Sequence, residues 1–184
     1  MRALLCVPSD SRLRAQPHLL ERFQLIRGPL ARYFALHQML FLAFFPTMRI
    51  PHLRSPNVKI GGIYYFARML DKIRLHAEGK LPTDYSDNLG RGFDERILNF
   101  LHVAYGDVVL ETLSDKNDEQ MLAWCFANGR VPHEEEIEIW NGFMSKRGWR
   151  DEVNPTLLSR KKQSGFEDRD DIQTMFDYID ADEA

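Results

Sequence analysis

A chain of 184 residues that is 44% hydrophobic, 11% aromatic and 28% charged holds enough apolar material for a packed core, which excludes a wholly disordered polypeptide. Two cysteines, Cys6 and Cys125, are too few and too far apart for a disulfide scaffold or a Cys-rich zinc site. No apolar run reaches the roughly 18 residues of a membrane span, and a net charge of −3 gives no basic footprint for nucleic acid. A soluble, cytoplasmic protein is expected.

The chain divides into two unlike parts. Residues 1–47 carry six Arg, no Lys and only two acids, Asp10 and Glu21, whereas residues 48–184 carry 18 basic against 25 acidic residues. In the first part, Leu19, Phe23, Ile26 and Leu30 share a helical face, which Gly28-Pro29 interrupts. The apolar run from Tyr33 to Phe45 is too short to span a bilayer without strong distortion. Three readings compete: an amphipathic membrane or partner contact, a targeting segment, or a stretch outside the working protein, with translation starting at Met48. The composition break at Met48 favours the third. Residues 1–47 are therefore expected to be an atypical, poorly defined extension, and residues 48–184 a single helical domain.

Periodicity predicts helices throughout the second part. Ile63, Phe66, Leu70, Ile73 and Ala77 form one apolar stripe, closed by Gly79. Arg68, Asp71, Lys72 and His76 lie off that stripe, on an expected solvated face. Residues 79–92 read as a loop. Asp94 is expected to cap a short helix whose Ile97, Leu98 and Leu101 face inward. A further short helix follows from Tyr105 to Leu113. Asn117 and Gln120 have capping-box spacing ahead of Met121, Leu122 and Cys125. Glu134, Glu135 and Glu136 load the first turn of the next helix and Lys146 and Arg147 its last, with Ile137, Trp140 and Met144 as its stripe and Gly148 as its stop. Asn154-Pro155 starts a helix to about Gln163, and an acidic last helix holds Ile172, Met175, Phe176 and Ile179. Only Asn57–Ile60 hints at period two. The fold class is all-α, an irregular bundle of about six helices.

Several separated strings carry a resemblance: Leu53-Arg54-Ser55-Pro56, then GGIYYFARMLDKIRLHAEGKLP, NLGRGFDERILNFL, GFMSKRGWRDE and DRDDIQTMFDYIDADE. In this order they resemble a bacterial family of about 140-residue proteins (a length that belongs to the family), catalogued only as a domain of unknown function. The likeness covers nearly all of residues 48–184 and none of 1–47. It implies no activity and no catalytic residues. Two departures, His133 and Ala104-Tyr105-Gly106, bear on local helix starts.

Candidate chemistry comes from side-chain type and spacing. Gly90-Arg91-Gly92 ahead of a helix start could bring backbone N–H groups and a guanidinium to an anion; the plainer reading is a loop with two positive-φ residues. Tyr65, Arg68 and Lys72 follow one helix face and could hold a carboxylate or phosphate. With Gly90, Arg91 and Gly92 they make up the candidate ligand-binding set. Asp71, His76 and Asp94 are the candidate catalytic groups. Trp140, Lys146, Arg147, Trp149 and Arg150 mix aromatics with cations as single-strand binders do, yet the acidic balance favours a structural role. The Asp168–Asp182 acidic run has no EF-hand spacing, the six histidines form no H-x-x-x-H pair, and Cys125 reads as a small buried hydrophobe. No metal, no cofactor and no nucleic-acid partner is expected, and the oligomeric state is not legible. Two functions stay open: a binding or interaction module for a small anionic ligand or a protein partner, or a small enzyme whose Asp, His and Arg groups converge from separate helices.

Overall fold

The computed structural model describes residues 50–184. The extension at 1–47, with its Leu19 stripe, the Tyr33–Phe45 run, Cys6 and the Met48 start, lies outside the described residues. A two-residue antiparallel ladder comes first, β1 (Lys59–Ile60) with β2 (Ile63–Tyr64), in the register Lys59 to Tyr64 and Ile60 to Ile63. The helices follow: α1 (Phe66–Ala77), a 3-10 helix at Thr83–Asn88, α2 (Phe93–Leu101), α3 (Tyr105–Thr112), α4 (Asp118–Asn128), α5 (Glu134–Ser145), α6 (Asn154–Gln163) and α7 (Met175–Asp182). The class is all-α, with seven α-helices and one small hairpin among the described residues.

The main core gathers around α1. Phe66, Met69, Leu70 and Ile73 pack with Ile97, Leu98 and Leu101 of α2, Met121 and Cys125 of α4, Met144 of α5 and Phe176 of α7. A smaller cluster of Leu157, Ile172, Met175 and Tyr178 joins α6 to α7. The stripes that periodicity marked on α1, α2, α4 and α5 are thus the faces that meet. Helix α5 is fixed on the hairpin by its own polar groups. The Asn141 amide accepts from the Tyr64 N–H at 3.0 Å and donates to the Gly62 carbonyl at 2.8 Å, while Trp140 stacks on Phe100 with ring centroids 4.7 Å apart.

Helix ends follow local chemistry. Asn117 and Gln120 close a reciprocal capping box on α4, and Thr174 with Asp177 does the same on α7. The Glu136 carboxylate accepts from the His133 N–H at 2.8 Å, which ties the first turn of α5 to its cap residue.

Several expectations are corrected. Ile63 belongs to β2, because the chain turns sharply at Tyr65 and α1 begins only at Phe66. Asp94 is not the cap of α2: Gly92 holds that position at φ 59°, leaving Asp94 inside the first turn. Ile172 lies ahead of α7, whose cap is Thr174, and the 79–92 loop contains a 3-10 helix. Val153 caps α6, so Asn154 is its first residue and spends its side chain on the Gly148 carbonyl. Arg147 does not load a helix end in solvent; it is buried and donates to Asp151 and Glu152.

Candidate functional site

The polar side of α1 is not a solvated face. Arg68, Asp71 and Lys72 are all buried, each against a partner that comes from a distant part of the chain. The cause is the packing on both flanks of α1. Its apolar stripe faces the core, while α2, α7 and the segment ahead of the hairpin close over the opposite side. Three buried charges are tolerable there only because each is matched.

The first match is Lys72 with Asp94. The ammonium donates to Asp94 Oδ1 at 2.6 Å and to the Tyr65 hydroxyl at 3.2 Å, and the pair is 3% and 0% exposed respectively. The second Asp94 oxygen accepts from the Gly90 N–H at 3.0 Å. The Gly90–Gly92 loop is thus folded around a carboxylate of its own chain. Gly90 and Gly92 have φ of 69° and 59°, the two positive-φ positions that the sequence suggested. Burial pushes the Lys72 ammonium down, against the attraction of Asp94. Burial, reinforced by Asp94, holds the Tyr65 hydroxyl well above its ordinary range, so it stays a neutral hydrogen-bonding group.

The second match is Arg68 with Glu183. Both terminal nitrogens of the guanidinium grip the Glu183 carboxylate, one of them at 2.9 Å, and the Tyr85 hydroxyl donates to the same carboxylate. Arg68 also donates to the Arg54 carbonyl at 2.9 Å. Burial disfavours the cation, but the bidentate contact outweighs it and raises Arg68 above its usual value. Tyr85 is raised too, by burial and by Glu183. Tyr65 feels Asp94, Arg68 and Glu183 together. The charges of both pairs act on the Tyr65 hydroxyl, which hydrogen-bonds to Lys72.

Tyr65 itself is strained. An aromatic residue at φ 72°, ψ −20° sits in the left-handed region that L residues avoid at about 1–2 kcal/mol. Its N–H donates to Pro56 and its carbonyl accepts from Met69, which lock the turn.

A third group borders this neighbourhood. Arg54 Nε and Nη2 bind Asp71 at 2.7 and 2.6 Å, and its Nη1 binds Asp118 at 2.6 Å. Arg74 binds Asp118 as well, at 2.7 Å. Burial raises the Asp118 carboxyl, but the hydrogen bonds from Arg54 and Arg74 more than reverse this and hold it below its ordinary range.

The candidate residues therefore divide. Tyr65, Lys72, Asp94 and Gly90 meet, and Arg68 lies alongside. Asp71 is committed to Arg54. His76, Arg91 and Gly92 are exposed. The structure does not pair Asp71, His76 and Asp94 with one another: the two carboxylates are held by different cations, and His76 is exposed. Sequence reasoning missed Arg54, Tyr85, Asp118 and Glu183 as members. Arg54 and Glu183 lie in the quoted strings, but contacts across 115 residues leave no trace in local spacing. Elsewhere, Trp140 is buried, and the Cys125 thiol is buried and pushed up to about 12, as befits a core residue. Among the described residues, no three His, Cys, Asp or Glu side chains gather as a metal site, and no helix is long and apolar enough to cross a membrane.

Fold and site together define a small helical domain built around a buried, charge-matched cluster on its first helix. The family model described as Domain of unknown function (DUF5069) matches residues 50–184, and the chain belongs to that family. No curated protein matches it.

Proposed function

We propose that this protein is a non-enzymatic binding module for a small anion, working in the bacterial cytoplasm, and that Arg68 is the residue that grips the anion. The observation that carries the reading is the Arg68–Glu183 contact. A buried guanidinium, bidentate on a carboxylate that also accepts from a tyrosine hydroxyl, has the donor set of an anion site. Here the anion is a side chain at the end of α7, and Glu183 stands in for the carboxylate or phosphate of a ligand. The charges support this: Arg68 with Lys72 balances Glu183 with Asp94, so displacing Glu183 leaves one positive charge that a monoanion restores. Strain at Tyr65, whose hydroxyl accepts from Lys72, also supports it, since such strain clusters at ligand clamps. The strings that carry the family resemblance supply Arg54, Tyr65, Arg68, Lys72, Asp94 and Glu183 to this one place.

The alternative is a small acid–base enzyme. Its supporting observation is the lowered Lys72 ammonium beside Tyr65 and Asp94.

The test is chemical rescue. Glu183→Ala leaves Arg68 buried and unmatched, which lowers stability by about 3–5 kcal/mol. Titration of inorganic phosphate into Glu183→Ala, read by calorimetry and by melting temperature, is expected to bind at least tenfold tighter than to the wild type and to restore stability. Arg68→Met in the same background abolishes both effects. Equal phosphate response in wild type, Glu183→Ala and the double variant would overturn the proposal.

A further inference from the structure

The outer surface of the α3–α4 pair has a different character. Leu110 and Leu113 stand three residues apart at the end of α3, 71% and 48% exposed. On a helix this spacing puts both on one face. Each leucine opens onto a groove. Leu113 lines one of about 620 Å3 that runs between the end of α1 and the start of α4. Leu110 lines another of about 490 Å3, together with Val103, Ala104 and Trp124 and the polar Asp107, Glu111 and Asn128. Two large exposed apolar side chains three residues apart, each lining a concavity, form a coherent feature, unlike exposed leucines scattered singly.

Charge says what would cover it. Six carboxylates line the two grooves, against the two cations Arg74 and Lys116. Both cations are already spent, Arg74 on Asp118 and Lys116 on Glu111. Asp107, Asp115 and Glu119 have no ion-pair partner among the described residues. A nucleic acid would meet like charge here, and so would a second copy of the same face. A segment that offers apolar side chains on one face and Lys or Arg beside them meets complementary shape and charge.

We infer that the α3–α4 surface docks a basic amphipathic helix of a protein partner, with Leu110 and Leu113 as its apolar anchors and Asp107 and Glu119 as its charge guides. This surface is separate from the Arg68 neighbourhood, and the inference does not depend on it.

The experiment uses the full chain and a synthetic Leu/Lys peptide of about 18 residues, long enough for about five helical turns. A peptide of the same composition without helical period is the control. Binding is followed by calorimetry and by backbone amide shifts. Shifts are expected at Leu110, Leu113 and Trp124. Leu110→Ser with Leu113→Ser is expected to weaken binding at least tenfold, and Asp107→Asn with Glu119→Gln to weaken it and flatten its salt dependence. Leu158→Ser, at another exposed leucine, is expected to leave it unchanged. All these positions are exposed, so melting temperature confirms that each variant is folded. Equal binding of the control peptide, equal loss in Leu158→Ser, or full affinity in the Leu110/Leu113 variant would each overturn the inference.

Discussion

Lys72 and Asp94 set the stakes at the level of single residues. Both are buried, so removing one charge strands the other in a medium that solvates it poorly. Asp94→Asn keeps the shape and an acceptor for Gly90, yet leaves the ammonium unmatched. A loss of about 3–5 kcal/mol is expected in urea denaturation, and Lys72→Met added to it should recover part of that loss. A single variant within 1 kcal/mol of wild type would mean that the pair is not sealed as described. Asp118 gives a pH test. Its folded-state value lies below the usual 3.8, so its contribution is complete above that value and fades as pH falls through the lower one. Asp118→Asn should therefore flatten the decline of stability below about pH 4; an unchanged acid limb would contradict this. None of these partners was legible in the sequence. Spacing placed Arg68, Asp71 and Lys72 correctly off the apolar stripe but read that side as solvated. Polar composition reports that a face is not core-forming, not whether another element will cover it with matching charge.

At the level of elements, the helices were legible where local chemistry decides them. The α4 capping box, the acid-loaded start of α5 and the stripes of α1 and α2 needed no tertiary information. The errors fell at helix starts, where a tertiary contact overrides the local signal. Tyr65 takes a left-handed turn that no Gly, Asn or Asp at that position announces, and Asp94 sits in the first turn of α2 and binds Lys72 instead of capping the helix. The loop before α2 makes the distinction testable. Gly92 has open space around a would-be Cβ, so Gly92→Ala meets only backbone strain, about 1–3 kcal/mol. A Cβ on Gly90 would lie 2.7 Å from the Tyr105 ring, and Gly90 also feeds Asp94 with its N–H. Gly90→Ala should lower the melting temperature clearly more than Gly92→Ala; the reverse order would refute this account of the loop.

For the whole molecule, the family match covers residues 50–184. We propose that residues 48–184 fold alone. Expressed as Met48–Ala184, they should melt in one cooperative transition close to that of the full chain, whereas a broad or absent transition would make residues 1–47 part of the folding unit. The all-α class was legible because most of the helical segments carry a helical period, a cap or charges matched to the helix ends. The site was legible only in its parts. Tyr65, Arg68, Lys72 and the Gly90 loop were singled out as anion binders, but the anions that the structure gives them are side chains of the same chain, Asp94 for Lys72 and Gly90 and Glu183 for Arg68. The most direct measurement follows the Arg68 Nε–Hε resonance of Glu183→Ala during titration with inorganic phosphate. The account predicts that this signal moves and saturates while that of Arg54, committed to Asp71 and Asp118, stays in place. A still Arg68 signal, or equal movement of both, would contradict it.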